Sequence, residues 1–283
     1  MILTPLSSIP LIRSGDDLAA ILLAALHAPA LSKVEGTRIT HHASRLTLHD
    51  NDILVITSKI VSKAEGRLVN LATVTPSNEA VELAARSDKD ARMVELILRE
   101  SREVLRVRPG TIVVEHRLGF VCANAGIDHS NVNSPLPVGE GPGPALNEFE
   151  GVRSDDWVLL LPEDPDRSAT EIRRKLEAAS GVRLGVLIID SHGRAWRLGT
   201  VGMAIGLSGL PGLVDMRGWQ DLFGYTLQIT VVGVADELAA AASLVMGQAA
   251  EATPVVHVRG FPYPLREGSL GELLRPREQD MFR

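Results

Sequence analysis

The chain has 283 residues, of which 45% are hydrophobic and 23% are charged, and its formal net charge is −6. This length corresponds to one large domain or two modest ones, and the apolar content excludes global disorder. The negative charge disfavours a general nucleic-acid binder, which needs a basic face. The single cysteine, Cys122, excludes an internal disulfide and a cysteine-based zinc site.

The hydropathy pattern also indicates the cellular location of the protein. A run of about 18–20 apolar residues, as a membrane-spanning helix requires, is absent from the sequence. Residues 1–10 lack the basic segment and the long apolar segment of a secretory signal. We therefore predict a soluble cytoplasmic protein without a membrane partner, in which Cys122 is a buried packing residue.

The first half of the chain predicts short strands and amphipathic helices. The predicted elements are a helix over Leu18–Leu26, a buried strand over Asp52–Thr57, two helices within 77–106, and strands over Thr111–Glu115 and Gly119–Cys122. Ser14 or Asp16 is expected to cap the first helix. The polar stretch 32–50 is predicted to be mainly loop.

The second half continues the mixture of strands and helices. The predicted elements are a Pro/Gly-rich loop over 133–144, strands over Trp157–Leu161, Val186–Ile189, Leu227–Val234 and Pro254–Val258, helices over Ala169–Ala178 and Asp236–Gln248, and a turn-rich crossing over Gly199–Gly212. A capping box formed by Ser168 and Glu171 is predicted to begin the first of these helices. Without strict β/α alternation, the pattern favours an α+β fold with mixed sheets, packed helices and two subdomains. We assign residues 1–265 to the main domain and 266–283 to a charged, frayed tail.

Three polar segments follow buried strands and are candidates for chemistry. The common nucleotide-binding motifs are absent, but Ser58–Lys63 offers two lysines and two hydroxyls suited to phosphates. The segment around Asp128 and the segment that begins at Asp190 offer oxygen ligands for a hard cation. Each segment is also typical of an ordinary turn, cap or solvated helix start. One carboxylate rarely holds Mg²⁺ alone, so convergence of the two aspartates would favour a metal site.

Long motifs in this order resemble one known family. The segments are IPLIRSGDDL (Ile9–Leu18), DILVITSKIVSKAEG (Asp52–Gly66), GFVCANAGIDHSN (Gly119–Asn131), LLPEDPDRSA (Leu160–Ala169), Val186–Leu210 with DSHGRAWRLGT, and Thr230–Gly260. Together they are similar to the coenzyme F420-0:L-glutamate ligases, or γ-glutamyl ligases, in their stand-alone form. The resemblance extends from about residue 9 to residue 260.

The resemblance implies an activity. In this family GTP and Mg²⁺ or Mn²⁺ activate a carboxylate of F420-0 as an acyl phosphate, and L-glutamate displaces phosphate to give an amide; later rounds extend a γ-linked tail. K⁺ is a further candidate ion. The family also implies a homodimer, for which Val201–Leu213 is either interface or core. Two alternatives remain: a catalytically silent nucleotide- or F420-binding protein, and an amide ligase for another phosphodiester cofactor.

The resemblance also assigns residues. For GTP binding they are Pro10, Leu11, Ile12, Arg13, Ser58, Lys59, Lys63, Asn131, Met246, Gly247, Gln248 and Ala249; for metal binding they are Asp128, Asp190, Ser191 and Gln248, with Glu251 as an alternative to Gln248. Asp128 and Asp190 are the expected catalytic residues. From charge alone, Arg194, Arg197 and Arg259 are candidates for the anionic phospholactate and glutamate groups.

Overall fold

The computed structural model describes residues 1–27, 46–129 and 156–280. Asn131, most of the predicted loop 32–50 and the whole predicted loop 133–144 lie outside the described residues. The chain divides into two compact units. Unit 1 contains Met1–Ala64 and Asp164–Asp280, and unit 2 contains Glu65–Glu163.

Unit 1 is built on a five-stranded mixed sheet. Its strands are β1 (Ile2–Pro5), β2 (Asp52–Thr57), β8 (Leu184–Arg194), β9 (Arg197–Ser208) and β12 (Val255–Arg259), and its helices are α1 (Leu18–His27), α2 (Ser58–Ala64), α5 (Pro165–Ser180) and α6 (Val234–Met246). The strand order is β1-β12-β2-β8-β9. The β2–β8 pair is parallel, whereas the other neighbours are antiparallel. A short antiparallel pair, β10 (Val214–Asp215) with β11 (Val231–Val232), also belongs to this unit.

The core of unit 1 explains why the central strands are continuously apolar. Ile53 and Val55 of β2 and Leu187 of β8 pack against the alanine-rich face of α6, which includes Ala239 and Ala242. The neighbouring residues on these strands are buried as well. A strand that is covered on both faces carries apolar residues at successive positions, which is the pattern that predicted β2 and the first half of β8.

Unit 2 combines two helices with two small sheets. Its elements are β3 (Leu68–Asn70), α3 (Asn78–Ser87), α4 (Ala91–Arg99), β4 (Ser101–Arg108), β5 (Thr111–His116), β6 (Val121–Ala123) and β7 (Trp157–Leu159). β4, β5 and β6 form an antiparallel meander, and β3 pairs with β7. Val94 and Ile97 of α4 pack with Ile112, and Cys122 is buried in the same core, as predicted.

Several predicted boundaries are wrong, because tertiary contacts override local pattern. Residues 101–106, predicted as helix, belong to β4 and pair with β5. The predicted turn-rich crossing 199–212 is largely the long strand β9, whose glycines face close neighbours: a Cβ on Gly206 would lie 2.4 Å from Cβ of Pro165 in α5. Of the predicted strand 227–234, only Val231–Val232 forms a strand, β11.

The helix caps also differ from the prediction. Asp17, rather than Ser14 or Asp16, caps α1 and accepts hydrogen bonds from the amides of Ala19 and Ala20. The side chain of Asp164 caps α5 in place of the predicted capping box, and Pro165 occupies the first turn. Proline is favoured there because its missing N–H has no helical partner to lose.

Residues 266–280 belong to unit 1 and pack within it, whereas the sequence predicts a frayed tail. Leu270 is buried, and its amide donates to the carboxylate of Asp166 at 2.9 Å. Arg266 forms an ion pair with Glu272 at 2.7 Å. Among the residues that the structure describes, no helix combines the length and apolarity needed to cross a membrane.

A buried charge network joins β2 to its neighbour β12 in the unit 1 sheet. Asp52, at the start of β2, lies 2.8 Å from Nε2 of His257 and accepts two hydrogen bonds from Arg259, both residues of β12. Burial by itself raises the pKa of Asp52, but the bonds from Arg259 and His257 outweigh it and lower the pKa from 3.8 to about 2. Because the folded-state pKa is depressed, this carboxylate stabilises the fold above about pH 4, and that stabilisation is lost as the pH falls towards 2.

We expect Asp52→Asn to lower the free energy of unfolding by about 2 kcal/mol near pH 7, because it removes the charge that His257 and Arg259 contact. Urea denaturation measures this loss, and the gap to wild type should narrow at about pH 2.5. The control is Glu278→Gln, which changes an exposed carboxylate. Equal losses in both variants would contradict the assigned role of Asp52.

Candidate functional site

The candidate site begins where the two parallel strands of unit 1 end. In the β2–β8 register Thr57 lies opposite Ile189, so the next residues, Ser58 and Asp190, are neighbours. The hydroxyl of Ser58 donates a hydrogen bond of 2.7 Å to Oδ1 of Asp190. Carboxyl ends of parallel strands are the usual location of ligand sites in sheets of this kind.

A histidine that the sequence analysis did not select also contacts Asp190. Nε2 of His192, a buried residue on the same strand, lies 3.1 Å from Oδ2 of Asp190. Burial by itself raises the pKa of Asp190, but His192 and Ser58 outweigh this effect and hold the pKa below its usual value. Asp190 is therefore an ionised carboxylate near neutral pH, with Ser58 next to one oxygen and His192 next to the other.

Ser191 lies next to Asp190 in the chain but contacts different residues. Successive side chains of a strand leave opposite faces of the sheet, and the hydroxyl of Ser191 donates to Oε1 of Gln248 at 2.9 Å. Nε2 of Gln248 donates in turn to Oγ of Ser243 on α6, also at 2.9 Å. Unit 1 thus brings Ser58 together with Asp190, and Ser191 together with Gln248.

The turn after α6 determines where Gln248 lies. Gly247 has φ 76° and ψ −178°, a region that is almost restricted to glycine. The carboxylate of Glu251 accepts a hydrogen bond from the amide of Ala249 at 2.8 Å, and this contact lowers the pKa of Glu251. Glu251 therefore stabilises the turn, whereas Gln248 contacts Ser191.

The predicted phosphate segment is a helix rather than a loop. Lys59 and Lys63 are half-buried and four residues apart on α2, a spacing that places them on the same face. The predicted nucleotide segment, residues 10–13, is followed by Gly15, whose amide donates to the carbonyl of Ala64 at the end of this helix. Leu11 is 82% exposed, whereas Ile12 is buried.

Asp128 belongs to unit 2 and follows an unusual turn. Asn124, Ala125 and Gly126 have positive φ values of 51°, 52° and 66°. A Cβ on Gly126 would lie 2.6 Å from the side chain of Leu161, and Asn124 accepts a hydrogen bond from the amide of Ile112. Two backbone hydrogen bonds with Leu159 hold Asp128 itself. Backbone strain maintained by packing is frequent at functional sites.

Other predicted residues have different roles. The guanidinium of Arg259 is paired with Asp52, so the expectation that it binds a substrate anion is wrong. Arg194 and Arg197 lie opposite each other in the backbone register at the end of the β8–β9 hairpin, and Arg197 is exposed. Residues 204–210 of the suggested interface segment are buried within the unit and form core.

Unit 1 offers oxygen ligands of the kind that a hard divalent cation binds in two places: the carboxylate of Asp190, and the Ser191–Gln248 pair on the opposite face of β8. Carboxylate, hydroxyl and amide oxygens are the ligands that Mg²⁺ prefers, and adjacent ligands of octahedral Mg²⁺ lie about 2.9 Å apart. This is the distance between Ser191 and Gln248. The described residues contain no group of three or more histidine, cysteine or acidic side chains that could hold a metal. Mg²⁺ sites often use one or two carboxylates and take further ligands from substrate phosphates.

Comparison with known proteins gives consistent matches. The F420-0:Gamma-glutamyl ligase family matches residues 7–260. A protein named coenzyme F420:L-glutamate ligase from Methanothermobacter thermautotrophicus is 46% identical, over 97% of this chain and 95% of its own. Similar proteins of the same name come from Methanococcus maripaludis, at 43% identity over 91% of this chain and 95% of its own, and from Archaeoglobus fulgidus, at 40% over 99% and 95%.

Proposed function

Because the chain belongs to the F420-0:gamma-glutamyl ligase family, we propose that it joins L-glutamate to F420-0 in coenzyme F420 biosynthesis, with GTP and Mg²⁺ or Mn²⁺. The observation that carries this proposal is the ionised Asp190 at the carboxyl ends of two parallel strands, next to Ser58. Both residues lie in segments that resemble the family and within the range that its model matches.

The proposed chemistry has two steps. A carboxylate oxygen of F420-0 attacks the γ-phosphorus of GTP, the bond to the β-phosphate oxygen breaks, and GDP leaves with that electron pair. The amine of glutamate then attacks the acyl carbon, phosphate leaves, and the nitrogen loses a proton to give the amide. Neither step needs a covalent enzyme nucleophile, so the protein contributes mainly by positioning and by neutralising charge.

Each group of residues has a role in this scheme. In unit 1, Asp190 on one face of β8 and Ser191 with Gln248 on the other face would offer oxygen ligands to a divalent cation, and the resemblance to the family assigns Asp128 of unit 2 as a further ligand. When bound, that cation neutralises phosphate charge. Lys59 and Lys63 would contact the phosphates from one face of α2, since the lysine ammonium is a compact positive charge.

The direct test is one incubation of the purified protein with F420-0, L-glutamate, GTP and Mn²⁺, followed by mass spectrometry. The expected product is heavier by one or more glutamyl residues and appears with an equal amount of GDP. A folded protein that binds GTP but releases no glutamylated product would favour a silent binder. Product formed only with another acceptor would favour a related amide ligase.

We expect Asp190→Asn and Asp128→Asn each to lower kcat at least about 100-fold, because an amide cannot supply the negative charge that the cation needs. Circular dichroism and the thermal midpoint check that each variant folds. Glu278→Gln, at an exposed position, is the control and should keep wild-type activity. Full turnover by either aspartate variant would remove that residue from the metal site.

Lys63→Ala should raise the apparent KM for GTP about 10–150-fold, because a charged hydrogen bond to phosphate is worth about 1.5–3 kcal/mol. The KM for glutamate should change much less. Lys175→Ala is the matched control, since Lys175 is an exposed lysine paired with Asp17 on the surface. If KM for GTP is the same in Lys63→Ala and wild type, Lys63 does not contact the phosphates.

We also propose that the chain forms a homodimer, as the family resemblance implies. The observation that supports it is a short hairpin bridged at Gln220 and Thr226. Its apolar side chains are exposed: Trp219, Leu222, Phe223, Tyr225 and, just beyond, Ile229. Large exposed apolar patches are uncommon on monomers.

Light scattering should therefore give twice the mass of the chain, and Phe223→Asp should shift the population towards monomer, because it places a charge where apolar surface is buried. Val81→Asp changes another exposed apolar residue, on α3, and should leave the mass unchanged. A monomeric wild-type protein at micromolar concentration would contradict the dimer.

A further inference from the structure

The hairpin that joins β8 to β9 extends past the end of β2. The parallel pairing of β2 with β8 ends at Thr57 and Ile189, whereas β8 continues with β9 as a two-stranded ribbon up to Arg194. Alternate residues of a strand share a face, so Asp190 and Arg194, four positions apart, lie on the same face of the ribbon. About 13 Å of strand separates them, at about 3.3 Å per residue. The ribbon therefore leads from the carboxylate of Asp190 to the turn of the hairpin.

The turn holds a tryptophan in a backbone conformation that rarely suits this residue type. Trp196 has φ 63°, in the left-handed region that hairpin turns usually fill with glycine, asparagine or aspartate. Trp196 is 90% exposed and its neighbour Leu198 is 99% exposed, so packing within unit 1 does not offset the strain. Backbone strain of this kind is frequent at sites that clamp a ligand. The exposed ring is therefore suited to contact a molecule that the chain binds.

The arginine that begins the turn has an unsatisfied donor. Nη1 of Arg194 is buried and has no hydrogen-bond partner among residues 1–27, 46–129 and 156–280. A guanidinium nitrogen only donates, and a buried donor without an acceptor is costly. Arg197 lies opposite Arg194 in the register and brings a second positive charge to the turn. Arginine is favoured where phosphate or carboxylate groups are recognised, so a bound anion would satisfy this donor.

We propose that this turn binds the acceptor substrate, with Arg194 contacting its phosphodiester and Trp196 stacking on its planar aromatic ring. The inference rests on the proposed function, in which F420-0 is the acceptor. In F420-0 the reacting carboxylate lies next to a phosphodiester, and a ribityl chain separates the phosphodiester from a planar deazaflavin ring. The ribbon presents Asp190, Arg194 and Trp196 in the same order as these three groups.

The two contacts recognise different parts of the acceptor. An indole ring stacks on a flat aromatic ring, whereas a guanidinium group binds the phosphate oxygens. An acceptor that carries a phosphate but lacks a flat ring would therefore contact Arg194 without using Trp196. 2-Phospholactate is such a molecule, because it keeps the carboxylate and the phosphate of F420-0 and lacks the ribityl chain and the ring.

The experiment measures KM for each substrate in the ligase assay. We expect Trp196→Gly to raise KM for F420-0 about 10-fold, because stacking of a flat base on an aromatic side chain has about this value. KM for GTP, KM for glutamate and kcat should change little. The thermal midpoint should not fall, because glycine adopts this φ without strain. Trp196→Phe keeps an aromatic ring and should retain most of the wild-type affinity for F420-0.

The second probe is 2-phospholactate as a competitive inhibitor against F420-0. Trp196→Gly should leave its inhibition constant unchanged, whereas Arg194→Gln should raise both this constant and KM for F420-0 at least about 10-fold. The control Ile2→Ala shortens another exposed apolar side chain, on β1 at the opposite edge of the same sheet, and should keep the wild-type KM for F420-0.

Three results would overturn the assignment of Trp196. An unchanged KM for F420-0 in Trp196→Gly would remove the stacking contact, and a lower mass by light scattering in that variant would then assign Trp196 to a contact between two copies of the chain. An equal rise of KM for all three substrates would show a general structural effect. In each case glutamylation by the wild-type protein leaves the proposed function intact, whereas a wild-type protein that forms no glutamylated product would overturn both. A wild-type enzyme that 2-phospholactate does not inhibit would remove the phosphodiester contact of Arg194.

Discussion

The parallel pairing of β2 with β8 is the constraint on which the candidate site depends. It brings the carboxyl ends of two buried strands to one edge of the sheet, and the register Thr57↔Ile189 makes Ser58 and Asp190 neighbours. Both strands are covered by packed side chains, so their ends have little freedom to move apart. β8 continues past Asp190, and the residue that follows it, Ser191, contacts Gln248 from the other face of the strand.

Much of this arrangement is readable from the sequence. The run Asp52–Thr57 predicts a buried strand because it is apolar at successive positions, and the polar residues that follow it, like those after Ile189, mark the ends where a ligand can bind. The long motifs around these ends indicate the family. The contact between Ser58 and Asp190 is not readable, because it depends on a register between residues 132 positions apart.

Other errors have the same origin in long-range contacts. Arg259 has the charge expected of a substrate-binding residue. The charge alone does not show which group the arginine contacts, because its partner, Asp52, is 207 positions away in the chain. The glycines of β9 suggested turns, although in the fold they allow α5 and α6 to approach the strand. His192 and Ser243 were missed because a single histidine or helical serine carries no distinctive spacing.

Under the proposed function, the charge of the oxygen ligands in unit 1 affects how tightly the cation binds with and without the nucleotide. Unit 1 supplies one carboxylate, one hydroxyl and one amide oxygen, and only Asp190 carries charge. Since the carboxylate lies on one face of β8 and the hydroxyl and amide lie on the other, neither group holds Mg²⁺ or Mn²⁺ tightly without further negative oxygens, and nucleotide phosphates are the usual source of these. Binding of the cation and of the nucleotide is then thermodynamically coupled, and the coupling is reciprocal.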